Sequence, residues 1–145
     1  MNDKLTIFYA DDDPDDQDFF KIIIDRMSEK YEVMQHMDGI QLLEALENPP
    51  PSPHVIFLDI NMPRMNGIEV LKRVRQSEKF GKLPIVIFST SKEGSVIQET
   101  LELAANYYVP KSAGFKELKK SIEHSLQINW ETFVPDSNTF LYKDN

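Results

Sequence analysis

The sequence predicts an α/β fold, a doubly wound parallel sheet of five strands with helices on both faces. Three observations lead there. Five short apolar runs alternate with five amphipathic stretches along 145 residues, the order that builds a parallel sheet with crossover helices. Two of the runs, VIFL at 55–58 and IVIF at 85–88, are continuously apolar rather than alternating, as strands covered on both sides are. The chain is 41% hydrophobic and 28% charged, which at this length suits one globular domain with its own core.

The elements follow in order. Leu5 to Tyr9 (LTIFY) is apolar and β-branched enough for a strand. Pro14 opens a helix, where its missing N–H costs nothing, and Phe20, Ile23, Ile24 and Met27 recur behind it at helical spacing. Tyr31 to Met37 alternates with period two and reads as the second strand. Gly39 to Glu47 carries Ile40, Leu43 and Leu46 on one helical face. Asn48 to Pro53 (NPPPSP) holds four prolines, which remove donors and fix φ, so it reads as a stiff connector. Val55 to Asp59 is the third strand. After the turn MPRMNG, Ile68, Leu71 and Val74 form the third helical stripe. Pro84 introduces the strand Ile85 to Ser89. Val96, Leu101, Leu103 and Ala104 supply a less regular fourth helix, Tyr107 to Pro110 a short fifth strand, and Phe115, Leu118, Ile122 and Leu126 the fifth helix.

In such a sheet ligands sit beyond the carboxyl ends of the strands, so the residues found there matter most. The first strand ends in Asp11, Asp12 and Asp13, the third in Asp59, the fourth in Ser89 and Thr90, the fifth at Lys111. An apolar strand finishing on a carboxylate presents that group at the sheet edge. Carboxylates gathered on one rim repel and raise one another's pKa unless a cation is present, and an oxygen-only donor set suits Mg²⁺ or Mn²⁺ rather than zinc. Each residue also has an ordinary explanation. Asp13, Asp15 and Asp16 fit first-turn acids that complement a helix dipole. Asp59 could be a turn acid, Ser89 a structural hydroxyl, Lys111 a surface lysine. Their joint placement on four strand ends favours a site built from Asp11, Asp12, Asp59, Ser89 and Lys111.

Bulk properties exclude other classes. A net charge of −8 opposes strong electrostatic binding to nucleic acid, and the one tight late basic cluster, Lys116, Lys119 and Lys120, reads as a solvated helix face. With no cysteine, there is no disulfide framework and no thiolate metal site. The apolar run Leu5–Ala10 is too short for a secretory signal, and no stretch approaches the roughly 18 residues of a membrane span. A cytoplasmic protein that neither crosses a membrane nor binds nucleic acid is expected. His36, His54 and His124 share no ligand spacing and read as structural.

At this point the residues resemble a family. YADDDPDD is similar to the acidic signature of the receiver domain of two-component response regulators, VIFLDINMPRMNGIEVLKRVR to its phospho-acceptor segment, IVIFSTS to its Ser/Thr signature, and NYYVPKS to its aromatic and lysine signature. All four occur in order between about Leu5 and Leu126. The resemblance implies a CheY-like, flavodoxin-like (βα)5 fold with strand order 2-1-3-4-5. It implies Asp59 as phospho-acceptor, and Mg²⁺ or Mn²⁺ held by Asp11, Asp12, Asp59 and the backbone carbonyl of Asn61. It further implies Ser89 and Lys111 on the phosphoryl oxygens and Tyr108 as the aromatic that changes rotamer on activation. Met62 and Pro63 would shape the turn, and Gly67 would let the next helix approach.

The implied role is a phosphorylation-dependent signalling switch, not an enzyme beyond its own phosphorylation and dephosphorylation. Its phosphoryl donor would be a histidine kinase or histidine phosphotransfer protein, and its output a downstream protein target. Three positions depart from the family pattern, the mildest being Ser89, a common replacement for threonine. Ser112 follows Lys111 where proline, often cis, is common; a cis bond before serine would cost about 2.5–4 kcal/mol. Thr90 is larger than the usual alanine or glycine and would narrow access to the phosphoryl group.

Two alternatives stand beside the switch. A phosphatase of the haloacid dehalogenase type would need a general acid two residues after its nucleophile, where this chain has Asn61. A receiver-like binding module indifferent to phosphorylation would be favoured by missing acids or a missing lysine, and none is missing.

The receiver is expected over 1–127, with 128–145 as an extension comprising the end of the last helix and an aromatic tail. That is too short for an output domain. Trp130, Phe133, Phe140, Leu141 and Tyr142 are too apolar to stand exposed. Either the last helix runs to about Phe133, stops before Pro135 and the remainder folds back, or the aromatics pack on a second copy in a homodimer.

Overall fold

The computed structural model describes residues 4–48 and 52–143. Ten elements alternate: β1 (Leu5–Ala10), α1 (Pro14–Met27), β2 (Tyr31–His36), α2 (Gly39–Glu47), β3 (Val55–Leu58), α3 (Gly67–Gln76), β4 (Ile85–Ser89), α4 (Gly94–Glu102), β5 (Tyr107–Pro110) and α5 (Phe115–Gln127). All strands are parallel, in the order β2-β1-β3-β4-β5. The expected flavodoxin-like architecture is therefore present. Of the proline connector, Pro49 to Pro51 lie outside the described residues. No helix among the described residues is long and apolar enough to cross a membrane.

Strand pleating divides the core into two layers. Phe8, Ala10, Ile56, Leu58, Ile85, Ile87 and Tyr108 face one side, where Leu42, Leu46, Val70, Leu71 and Val74 of α2 and α3 cover them. Ile7, Tyr9, Val55, Phe57, Val86, Phe88, Tyr107 and Val109 face the other, against Phe20, Ile23 and Ile24 of α1 and Ile122 and Leu126 of α5. The adjacent tyrosines 107 and 108 thus belong to opposite layers.

Three expectations need correction. The fourth helix stops at Glu102, and Leu103 and Ala104 form its exit, with Ala104 in the left-handed region at φ 69°. Phe115 lies on the exposed side of α5, at 39% exposure, not on its buried stripe. The last helix ends at Gln127 rather than near Phe133, because the backbone at Ile128 turns extended (ψ 133°).

The tail beyond α5 folds back on its own chain. Phe140 is 1% exposed and packs its ring on Tyr108, centroids 6.2 Å apart. Tyr108 N–H donates to Phe140 O (3.0 Å), and Tyr142 N–H donates to Tyr108 O (2.8 Å). Leu141 thereby bridges β5 in parallel fashion at the sheet's outer edge. Phe133 and Trp130 pack against Tyr107 on the other layer.

Candidate functional site

The sheet order reverses between β1 and β3, which run out side by side with Ala10 opposite Leu58. The next residues, Asp11 and Asp59, therefore leave the sheet as neighbours, tied by Asp59 N–H to Ala10 O at 3.0 Å. On the far side of β3, β4 ends at Ser89, which is opposite Pro110 of β5. Lys111 N–H donates to Ser89 O (2.8 Å), so the lysine rises from the same rim.

Asp11 and Asp59 are buried and Asp12 is exposed; one carboxylate oxygen from each lies within 4.8 Å of the others. Lys111 Nζ, on a side chain 8% exposed, is 2.6 Å from Asp11 Oδ2, 2.9 Å from Asp16 Oδ2 and 3.6 Å from Asp59 Oδ2. The Asp59 carboxylate accepts the N–H of Ile60 at 2.9 Å, and the nearby Asn61 backbone N–H also favours its charged form. Burial pushes Asp59 up, Lys111 pulls it down, Asp11 pushes it up again, and the result is a pKa of about 6. For Lys111, burial works against the ammonium, but the charges of Asp59 and Asp11 and the hydrogen bonds of Asp11 and Asp16 outweigh it and raise its pKa. An all-oxygen cluster of three carboxylates, two of them buried, fits a hard divalent cation. It is poorly matched to a soft-ligand metal.

The local sequence explains the geometry. Gly67 N–H donates to Ile60 O (2.8 Å), and a Cβ at Gly67 would collide with the Asp59 carbonyl oxygen. Glycine thus lets α3 start directly against the end of β3. Met62 is buried in the turn, and Pro63 O accepts Met65 N–H (2.7 Å). Arg64 of that turn, at φ 64°, pairs with Asp38, the N-cap of α2. Asn61 is exposed and lines a cleft of about 350 Å³ with Thr90, Ser91 and Glu93. Ser89 is buried, its Oγ accepting Ser91 N–H at 3.3 Å. Tyr108 is fully buried, its hydroxyl donating to Ser91 O (2.7 Å). The Lys111–Ser112 peptide is trans, like every peptide bond among the described residues.

The structure brings together Asp11, Asp12, Asp59 and Lys111, and sets Ser89 and Asn61 on the flanking strand end and turn. Three neighbours escaped the sequence reading. Asp16, by sequence a first-turn acid complementing a helix dipole, pairs with Lys111. The Tyr9 hydroxyl donates to Asp11 Oδ2, and burial pushes its phenol pKa far up. Gln17, 3% exposed, spends its amide N–H groups on the carbonyls of Tyr9, Asp11 and His36 (3.3, 3.0 and 3.0 Å), fastening the ends of β1 and β2. Period-two counting would have found Tyr9, because residues 9 and 11 share a face. Asp13, by contrast, is the N-cap of α1, accepting Asp15 N–H (2.8 Å) and Asp16 N–H (3.3 Å).

Residues 7–123 match the family model described as "Response regulator receiver domain". The chain is similar to the response regulator Rcp1 of Synechocystis sp., 26% identical over 127 residues, covering 84% of this chain and 86% of that protein. Among solved structures it resembles the Mn²⁺-bound form of Rcp1, with TM-score 0.78 and 25% identity over 92% of this chain and 99% of the other. It also resembles the phosphorylated cyanobacterial phytochrome response regulator RcpA, with TM-score 0.79 and 25% identity over 91% and 97%.

Proposed function

We propose a function from one premise: the chain belongs to the response regulator receiver family. Members of this family are signalling modules of two-component systems, with an acidic pocket for Mg²⁺, and they exchange signals with histidine kinases or phosphotransfer proteins and downstream targets. For this chain the reading is a phosphorylation-dependent switch whose acceptor is Asp59. The observation that carries it is a buried carboxylate at a strand end that accepts Ile60 N–H at 2.9 Å, lies 3.6 Å from an ammonium, and has an oxygen within 4.8 Å of those of two further acids.

Asp11, Asp12, Asp59 and the Asn61 carbonyl are the groups that would hold Mg²⁺ or Mn²⁺. Such an ion would supply charge neutralisation to the incoming phosphoryl group. One Asp59 carboxylate oxygen attacks the phosphorus of a donor phosphohistidine. The P–N bond breaks, and its electron pair returns to the imidazole nitrogen, which takes up a proton. The N–H of Ile60 keeps the carboxylate aimed while it reacts. Lys111 pairs with the new oxygens, and Ser89 turns its hydroxyl from Ser91 N–H toward them. With Ser89 displaced, Tyr108 trades its bond to Ser91 O for a new position, and the β5 surface offered to a partner changes.

The departures bear on this reading. Thr90, which lines the same cleft as Asn61, narrows access to the phosphoryl group and slows its loss or its transfer. Asn61 supplies no general acid for a phosphatase. The full set of acids, lysine and hydroxyl argues against a module indifferent to phosphorylation. Because the tail aromatics are spent within their own chain, they lend no support to a homodimer.

The test is labelling with a small acyl-phosphate donor. The parent protein takes up one phosphoryl group with Mg²⁺ and none with chelator, and Asp59→Asn takes up none. Equal labelling of Asp59→Asn would refute the assignment.

A further inference from the structure

The Lys111 ammonium sits away from the acceptor it is expected to serve. It has three N–H donors. Two are engaged at hydrogen-bond distance, by Asp11 at 2.6 Å and Asp16 at 2.9 Å, while Asp59 stands off at 3.6 Å. The Phe88 ring, its centroid 5.5 Å from Nζ, backs the group and limits where it can go. Asp16 is itself held in place. It lies in the first turn of α1, its backbone N–H bound by the Asp13 cap at 3.3 Å, and its side chain is 35% exposed, so it reaches the lysine from the solvent side.

We infer that Asp16 is a positioning residue that draws Lys111 toward α1 and so competes with the phosphoryl group for the same ammonium. The inference rests on Asp59 as acceptor. Its physical content is a trade. When phosphoryl oxygens arrive on Asp59, Lys111 must turn toward them, and whatever it gives up at Asp16 is subtracted from the stability of the phosphorylated state. Asp16 also adds one negative charge beside a site that accepts a polyanion. Both effects have the same sign, so this carboxylate keeps the resting form favoured and makes the switch easier to reset. Asp15, one residue earlier, is an exposed first-turn acid outside the Lys111 ion-pair set. It shares the helix-dipole role and lacks the lysine contact.

The test uses beryllofluoride, which mimics a phosphoryl group on a carboxylate, titrated at saturating Mg²⁺ and followed by fluorine NMR on the full chain. Asp16→Asn is expected to bind it about two- to five-fold more tightly than the parent, the range for one partly exposed ion pair. Asp16→Glu, which keeps a carboxylate in reach, should return toward the parent value, and Asp15→Asn should change affinity much less than Asp16→Asn. Thermal midpoints close to the parent's establish that the variants are folded. Equal tightening by Asp15→Asn and Asp16→Asn would reduce the effect to general charge and overturn the inference, as would unchanged or weaker binding by Asp16→Asn. If the folded parent itself bound no beryllofluoride, the assignment of Asp59 would fail first and this inference with it.

Discussion

Two edges of the same sheet are built on opposite principles. At the carboxyl ends of β1 and β3 the chain gathers charge: Asp11, Asp59 and Lys111 are nearly fully buried and stand within a few ångströms of one another. Along the outer side of β5 it gathers aromatic rings, with Phe140 on Tyr108 in one layer and Trp130 and Phe133 on Tyr107 in the other. Buried ions contribute little net stability, because desolvation offsets their attraction. Buried rings contribute a great deal, because each removes a large apolar area from water. The rim is therefore assembled at some cost in stability, and the β5 edge supplies stability while gripping Tyr108, the residue proposed as the readout.

The largest effect should come from the aromatic edge. Phe140→Ala leaves a hole against Tyr108 and should cost about 3–5 kcal/mol, seen as a lower midpoint in urea at unchanged slope. A loss below about 1 kcal/mol would mean the tail is merely laid on the surface, and the contrast would break.

The rim should respond with the opposite sign. Asp59 has its pKa raised from 3.8 to about 6, so the fold prefers its protonated form. In chelator, the stability this group lends is fully present below pH 4 and lost as pH rises through 6, a change of about 1–3 kcal/mol. Asp59→Asn should flatten that segment of the stability–pH curve and make the metal-free protein more stable at neutral pH. Added Mg²⁺ should stabilise the parent and leave Asp59→Asn much less affected. A parent curve flat between pH 4 and 7 would contradict the assignment of strain to the rim.

The smallest effect sharpens the boundary between the two principles. Asp13 belongs to the acidic run by sequence, yet it is a helix cap. Asp13→Ala should cost about 1 kcal/mol by thermal melting and leave Mg²⁺-dependent labelling intact. Loss of labelling would place Asp13 in the pocket instead.

The acidic rim was legible because its signals are anomalies of local pattern. A run such as VIFL that ends on Asp59 has no apolar reason to do so, and the alternation of β and α elements places every strand end on one side. Asp16 was not legible. Its position in a helix first turn has a sufficient local explanation, and its partner lies 95 residues away. The end of α5 was misjudged for a similar reason. Pro135 forbids a helix beyond it but does not require one up to it, and the rings at 130 and 133 find their burial on Tyr107 from a turn instead.

By itself the sequence determined the order of elements, the two-sided burial of the sheet and the set of charged strand ends, because apolar periodicity, proline and glycine act over a few residues. Only the tertiary structure decided which acids share Lys111 and where the tail lies. Those outcomes depend on competition among distant groups for one ammonium and one open strand edge, and nothing local to either partner encodes who wins.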